Sequence, residues 1–342
     1  MKIGILTSGG DCPGLNAVIR GVVLRGTTSH DLEFVGIRDG WRGVVDGDFF
    51  PLTRHEVKGL ARSGGTILGT SRTNPYDGPR GGAQNVAKNL ERHRVDGIIA
   101  IGGEGTLAAG NRLYNDGINV IGVPKTIDND LRATDYSFGF DTAVNIATDA
   151  MDRLRTTGES HQRCMVAEVM GRHVGWIALH SSMAAGAHSL CIPEVPMTID
   201  EICNQVTKAH DRGRAPLVVV SEGFTLKGMV EAYSDKGLDA FNRPRLGGIS
   251  EVLAPEIERI TGIETRATVL GHIQRGGSPS AFDRVLATRL GLHAADAVVD
   301  GAWGRMVALR GTDIVRVPFA DALGELNTVP LERYQEAAAL FG

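Results

Sequence analysis

Val95-Asp96-Gly97-Ile98-Ile99-Ala100-Ile101-Gly102-Gly103-Glu104-Gly105-Thr106 runs from an apolar stretch straight into a glycine cluster, and helix-period residues follow to about Tyr114. That order reads as strand, tight turn and helix, the repeating unit of an α/β fold. The same device recurs. Lys2–Thr7 leads through Ser8–Gly14 into a helix from about Leu15, and Asn119–Val123 reads as the next strand. Beyond a long helix near Thr142–Thr156 the pattern restarts with Cys164–Val169, the turn Met170-Gly171-Arg172 and a helix from about Val174, which marks a second domain. Strands are expected at His188–Ile192, Leu217–Ser221 and Ala267–Leu270, and a final long helix around Ser280–Asp300. Lys227–Gly248, rich in Gly, Asp and Arg, reads as an exposed excursion.

Length and composition bound the function. A chain of 342 residues suggests two domains with a cleft available between them. With 42% hydrophobic and 22% charged residues it is an ordinary globular sequence, and disorder is not a serious reading. A net charge of −4 without a dense Lys/Arg run argues against a nucleic-acid or membrane-surface partner and for a small ligand. No apolar run approaches a membrane span or a signal h-region, so a cytoplasmic enzyme is expected. Cys12, Cys164, Cys191 and Cys203 form no C-x-x-C pair, which points to structural thiols. Glycine, at 45 residues, is over-used, and it gathers where apolar runs end. In open parallel sheets those ends are where ligands bind.

Three of these turns carry chemistry. Gly9-Gly10-Asp11-Cys12-Pro13-Gly14 lets backbone N–H groups approach an anion, helped by the positive end of the following helix. Lacking the Gly-Lys-Ser/Thr ending and the G-x-G-x-x-G spacing, it reads either as a phosphate cradle of another kind or as a tight structural turn. Gly102–Thr106 adds a carboxylate and a hydroxyl. Glu104 alone can serve a magnesium-bound polyphosphate, because magnesium takes few protein carboxylates; the other reading is a helix-start residue stabilised by the dipole. In Pro124-Lys125-Thr126-Ile127-Asp128-Asn129-Asp130, two carboxylates crowd together, which is costly without a proton, cation or substrate between them. Asp128 can accept a proton from an attacking hydroxyl, and Asp130 can hold metal or orient that base. A plain Asx-type turn is the competing account.

Cations complete the set: Arg72 in Thr70–Thr73, Arg163 in Ser160–Arg163, Arg172, and His272 with Arg275 in His272–Gly277. Guanidinium groups suit phosphate oxygens, although any single one is more often a surface ion-pair residue. His272 reads better as a sugar-phosphate ligand than as a base; a core or cap histidine is the alternative.

The strings GGDCPG (Gly9–Gly14), GGEGT (Gly102–Thr106), PKTIDND (Pro124–Asp130), SHQR (Ser160–Arg163), MGR (Met170–Arg172) and ETRATVLGHIQRGG (Glu264–Gly277) stand in one order across most of the chain. Together they resemble the bacterial-type phosphofructokinases. The resemblance implies two Rossmann-like domains with mainly parallel sheets and an active site in the cleft between them. Residues 1–139 plus 274–324 would form the larger, donor-binding domain, and 140–273 plus 325–342 the smaller, sugar-phosphate domain. It implies that Gly10, Arg72, Thr73 and Gly103-Glu104-Gly105-Thr106 contact ATP, with Glu104 on Mg2+. Asp128 would be the base for the 1-hydroxyl of fructose 6-phosphate, supported by Thr126 and Asp130. Arg172 and Arg72 would stabilise the phosphoryl group in flight. Met170, Gly171, Glu222, His272 and Arg275 would hold the sugar phosphate, joined by Arg163 and Arg266 of a neighbouring subunit in a homotetramer.

Two positions disagree about the donor. Gly105 is similar to ATP-using members, whereas an aspartate there marks pyrophosphate users; Lys125 is similar to the pyrophosphate users, because familiar ATP-using members have glycine. Sterics outrank charge: an aspartate would fill nucleotide space and repel phosphate, while a flexible lysine can swing aside or bind phosphate. ATP-dependent phosphofructokinase is therefore expected, with pyrophosphate as the alternative donor. Glu104 replaces the usual aspartate. Arg20, Arg54 and Arg155 match part of the family's regulatory arginine set, but Leu24 does not, so an altered effector site is expected. A nicotinamide-dependent dehydrogenase is disfavoured by the missing G-x-G-x-x-G. A non-catalytic nucleotide sensor is disfavoured by the intact Asp128, Asp130 and Arg172.

Overall fold

Apolar runs that end in glycine become, in the computed structural model, the strands of two sheets whose turns share one edge of each. The structure describes residues 1–228 and 248–341. Most of the excursion read at Lys227–Gly248 lies outside the described residues.

In chain order the elements are β1 (Lys2–Ser8), α1 (Leu15–Ser29), β2 (Glu33–Ile37), α2 (Trp41–Asp46), β3 (Phe49–Pro51), α3 (Ala83–His93), β4 (Gly97–Gly102), α4 (Glu104–Asn115), β5 (Val120–Pro124) and α5 (Phe140–His161). They continue with β6 (Cys164–Val169), α6 (Trp176–Ala185), β7 (Ser189–Cys191), α7 (Ile199–Asp211), β8 (Leu217–Ser221), α8 (Ile249–Thr261) and β9 (Thr265–Val269). The chain closes with α9 (Ala281–Val299), β10 (Arg305–Arg310), β11 (Asp313–Pro318), α10 (Phe319–Ala322) and α11 (Leu331–Ala338). Two compact units result: Met1–Asp141 with Arg275–Leu326, and Thr142–Gln274 with Asn327–Gly342.

The first unit holds a seven-stranded sheet in the order β11-β10-β5-β4-β1-β2-β3. Its interior pairs are parallel, while β11 and β3 close the edges antiparallel. β4 and β5 are buried throughout, as their unbroken apolar sequences require of central parallel strands covered on both faces. Trp41, Leu90, Leu107, Leu113, Met306 and Phe319 pack in one core cluster with strand residues such as Leu6 and Ile98.

The second unit carries an all-parallel sheet, β7-β8-β6-β9. Val166, Val218 and Val220 meet Phe224, Leu253 and Ile257 in its core. α7 is started by a capping box, in which Thr198 Oγ1 accepts from Glu201 N (3.2 Å) while the Glu201 carboxylate accepts from Thr198 N (2.7 Å). Among the described residues no helix is long and apolar enough to cross a membrane. All four cysteines are buried free thiols, and burial pushes Cys12, Cys164 and Cys191 up to about 12, which suits inert core residues.

Candidate active site

Strand register brings the first three turns level. Ser8 pairs with Gly102 and Gly102 with Pro124, so Ser8–Gly14, Gly102–Thr106 and Lys125–Asp130 leave neighbouring strands at one edge. β1 and β4 flank the point where strand order reverses, the place where ligands bind in such sheets. A fourth segment joins them: Gly9 N donates to Ser71 O (2.9 Å), Thr70 Oγ1 to Gly9 O (2.6 Å) and Ser8 Oγ to Ser71 O (3.0 Å), which anchors Arg72 and Thr73 beside the first turn. Arg72, Glu104 and Gly105 are exposed. Glu104 and Gly105 open α4, where the leading N–H groups have no intrahelical acceptor and favour an anion. A Cβ added at Gly105 would meet no atom within 4 Å.

Lys125 departs from the expectation of a side chain able to swing aside. It is 4% exposed, with its backbone N donating to Gly102 O (2.9 Å) and its ammonium to Gly10 O. Burial lowers its pKa, and the nearby Arg275 guanidinium acts in the same direction. Lys125 is thus built into the wall between the Gly9–Gly14 and Gly102–Thr106 turns.

The Asp128 turn is held by side-chain hydrogen bonds to its backbone. Thr126 Oγ1 accepts from Asp128 N (3.1 Å), and Asn129 takes the left-handed conformation (φ 53°) with its side chain buried. Asn129 Oδ1 accepts from Ser137 N (2.9 Å), while Ser137 Oγ donates to Thr126 O (2.7 Å). A short polar side chain tolerates that φ, so Asn129 and Ser137 hold the turn. Asp128 and Asp130 stay half-buried at its surface, and Asp130 Oδ1 is enclosed with no hydrogen-bond partner among the described residues. An enclosed carboxylate oxygen beside a cradle is suited to a cation or a donated proton. Among the described residues no cluster of three or more His, Cys, Asp or Glu forms a metal cage. Magnesium held by Glu104, phosphate oxygens and water fits this donor set.

In the second unit, Val169 pairs with Ser221 and Glu168 with Val269, which levels Met170-Gly171-Arg172, Glu222 and the first four residues, Gly271–Gln274, of a 3-10 turn at one edge. Gly171 is required where it stands: its φ is 132°, and a Cβ would lie 2.5 Å from Ser221 Oγ. Its carbonyl accepts from Ser221 Oγ (2.7 Å) and Gly223 N (3.1 Å), and Glu222 N donates to Val169 O (2.8 Å). A Cβ at Gly223 would overlap the Arg172 carbonyl oxygen. Met170 is buried, leaving its backbone as the polar part, while His272 is exposed.

Two further sequence-predicted groups complete the set. Arg275 belongs to the first unit, where Nη1 donates to Asp11 O (3.3 Å) and lies 2.8 Å from where a Gly10 Cβ would be. Arg163 and Arg266 stand toward the opposite end of β6 and β9 from the Arg172 turn, roughly 20 Å and 13 Å from the Val169 end at about 3.3 Å per strand residue. There Arg163 Nε pairs with Glu264 (2.6 Å), Arg266 pairs with Glu264 and Glu258, and Arg163 holds the Glu264 carboxyl below its ordinary range. One chain therefore does not join these arginines to the Arg172 turn. Glu264, Ser137 and Gln274 were missed as supporting residues; only the position of Glu264 and Gln274 inside a motif string hinted at them.

The family model for phosphofructokinase matches residues 2–298. A pyrophosphate–fructose 6-phosphate 1-phosphotransferase of Amycolatopsis methanolica is 57% identical over 342 residues, covering 100% of both chains. ATP-dependent 6-phosphofructokinase 3 of Streptomyces coelicolor is 52% identical over 98% of this chain and 99% of its own. A pyrophosphate-dependent phosphofructokinase structure from Nitrosospira multiformis shares the fold at TM-score 0.84, with 20% identity over 100% of this chain and 92% of that one. The chain is accordingly a phosphotransferase that acts on a sugar-phosphate hydroxyl. It belongs to the phosphofructokinase family, whose members act in glycolysis on fructose 6-phosphate and a phosphoryl donor.

Proposed function

We propose that this chain transfers the γ-phosphoryl group of ATP to the 1-hydroxyl of fructose 6-phosphate, giving fructose 1,6-bisphosphate. The observation that carries the choice of donor is Gly105: on the exposed first turn of α4, its missing side chain leaves open space beside the phosphate cradle. A nucleoside needs that room, whereas pyrophosphate does not.

On this reading Gly10, Thr73 and the Gly103–Thr106 turn hold the triphosphate through backbone N–H groups and hydroxyls, and Arg72 meets its charge. Glu104, together with phosphate oxygens, would hold magnesium, which would supply positive charge against the donor phosphates. Asp128 accepts the proton of the 1-hydroxyl as its oxygen attacks phosphorus; Thr126 fixes the turn, and Asp130 favours the protonated product state of its neighbour. Arg172 stabilises charge on the phosphoryl group in transit. Most of the catalysis in such transfers is positioning and electrostatic stabilisation, which this residue set supplies. Met170, Gly171, Glu222, His272 and Arg275 orient the sugar phosphate, with Arg163 and Arg266 completing the site of a neighbouring copy in a homotetramer. The donor and sugar domains would correspond to the two halves read from the sequence, and the cytoplasm is the setting of such a glycolytic enzyme.

A second reading, with pyrophosphate as donor, is favoured by Lys125, a buried cation between the two cradle turns, and by the Amycolatopsis relative's name. Fructose 1,6-bisphosphate formation with each donor separately tests the choice: turnover with ATP supports the proposal, and turnover confined to pyrophosphate overturns it.

A further inference from the structure

Gln274, like Ser221, has a fully buried polar side chain beside the proposed sugar-phosphate turns. It is 0% exposed, although it lies between exposed Ile273 and half-buried Arg275. Its Oε1 accepts from Met170 N (3.3 Å) and its Nε2 donates to Gly271 O (3.0 Å). Met170 follows β6 and Gly271 follows β9. The ladder between these parallel strands runs out at Leu270 N to Glu168 O (3.0 Å), where both chains turn away. Past that point the carboxamide takes over the ladder, offering one acceptor to an amide and one donor to a carbonyl.

Few side chains can do this. A planar carboxamide carries both functions, and the two backbone groups dictate its orientation, since the flipped amide would face N–H with NH2 and carbonyl with carbonyl. Asparagine is one methylene short. An ionised glutamate can only accept, so it would oppose Gly271 O. Methionine has the length but leaves Met170 N without this acceptor and removes a donor from Gly271 O, which is costly in a buried place.

We infer that Gln274 is a positioning residue of the sugar-phosphate site: it fixes the separation between the Met170-Gly171-Arg172 turn and the turn bearing His272, so that Arg172 and His272 can meet one ligand. The inference rests on the site assignment proposed above. It assigns Gln274 no contact with the sugar phosphate and none with the donor cradle, which lies in the other unit.

The test compares steady-state kinetics of wild type, Gln274→Met and Gln274→Glu. Gln274→Met is expected to raise the KM for fructose 6-phosphate at least tenfold while the donor KM stays within about twofold. A fructose 6-phosphate KM within twofold of wild type, or a matching rise in both KM values, overturns the inference. Gln274→Glu decides independently, including when the methionine variant does not fold. Once protonated, a buried glutamic acid offers O–H and C=O in the glutamine's place. The elevated fructose 6-phosphate KM at pH 8 should therefore return toward wild type at pH 6. A ratio to wild type that does not move with pH contradicts the role. Wild type without fructose 6-phosphate turnover overturns the function and the inference together; normal wild-type turnover with an unmoved KM in the variants overturns the inference alone.

Discussion

Gly105→Asp should separate stability from donor use. The backbone of residue 105 is helical, and its Cβ direction is open for 4 Å, so the new side chain meets no steric obstacle in the folded chain. It replaces glycine in a helix and places a carboxylate in the first turn, each of which is stabilising, the second by about 0.3–1 kcal/mol. On the proposed reading the same carboxylate faces the phosphates of the donor. At about 5 Å and an effective dielectric near 20, one unit charge repels another by roughly 3 kcal/mol. At about 1.4 kcal/mol per decade this is more than a hundredfold in ATP affinity, before counting lost nucleoside space. The assay is paired: thermal unfolding without ligand, and initial rates against ATP concentration at saturating fructose 6-phosphate. A thermal midpoint at or above wild type with an ATP KM raised at least a hundredfold is expected. An unchanged ATP KM would refute the placement of the nucleotide beside Gly105.

Asp128→Asn keeps the size of the side chain and removes the proton acceptor; turnover should fall by about 10²–10⁴ while fructose 6-phosphate binding by calorimetry persists, and near-normal turnover would remove Asp128 from the role of base. Gly223→Ala forces a methyl into the Arg172 carbonyl, so a stability loss of about 1–3 kcal/mol in denaturant titration is expected together with a lower kcat, and a wild-type unfolding midpoint would contradict the close approach. His188 accepts from Leu217 N (3.1 Å) through Nδ1, and burial, reinforced by Arg155 and Arg214, lowers its pKa. The unfolded chain then binds a proton near pH 6.5 that the folded chain resists, so this contribution is complete above about 6.5 and is lost as pH falls below it. His188→Asn keeps an acceptor without titrating and should shrink the drop in thermal midpoint between pH 7.5 and 5.5; an undiminished drop would count against His188 as its source.

The strand ends were legible because an apolar run followed by glycine states both burial and a sharp turn: β6 and β8 start and stop at the residues read for them. β9 was read as Ala267–Leu270 but spans Thr265–Val269, since on this edge strand Arg266 faces outward and breaks the apolar signal. β7 is trimmed to Ser189–Cys191 for want of ladder partners beyond three residues. The edge pair β10–β11 went unread because its strands lack the glycine-rich turn that marked the others. In the site, the residue types were visible but their support was not. Lys125 looks mobile in sequence, and burial is a property of what packs around it. Asn129 looks like a companion of two aspartates, and only its positive φ shows a turn residue. Gln274 cannot be told from a surface glutamine until two strand ends meet on either side of it.

The most direct measurement follows fructose 1,6-bisphosphate by 31P NMR from fructose 6-phosphate and magnesium, with ATP in one sample and pyrophosphate in another. Product with ADP release in the ATP sample, and a far slower reaction with pyrophosphate, is the predicted result. Product in the pyrophosphate sample alone would contradict Gly105 as the determinant of the donor and make Lys125 its mark instead.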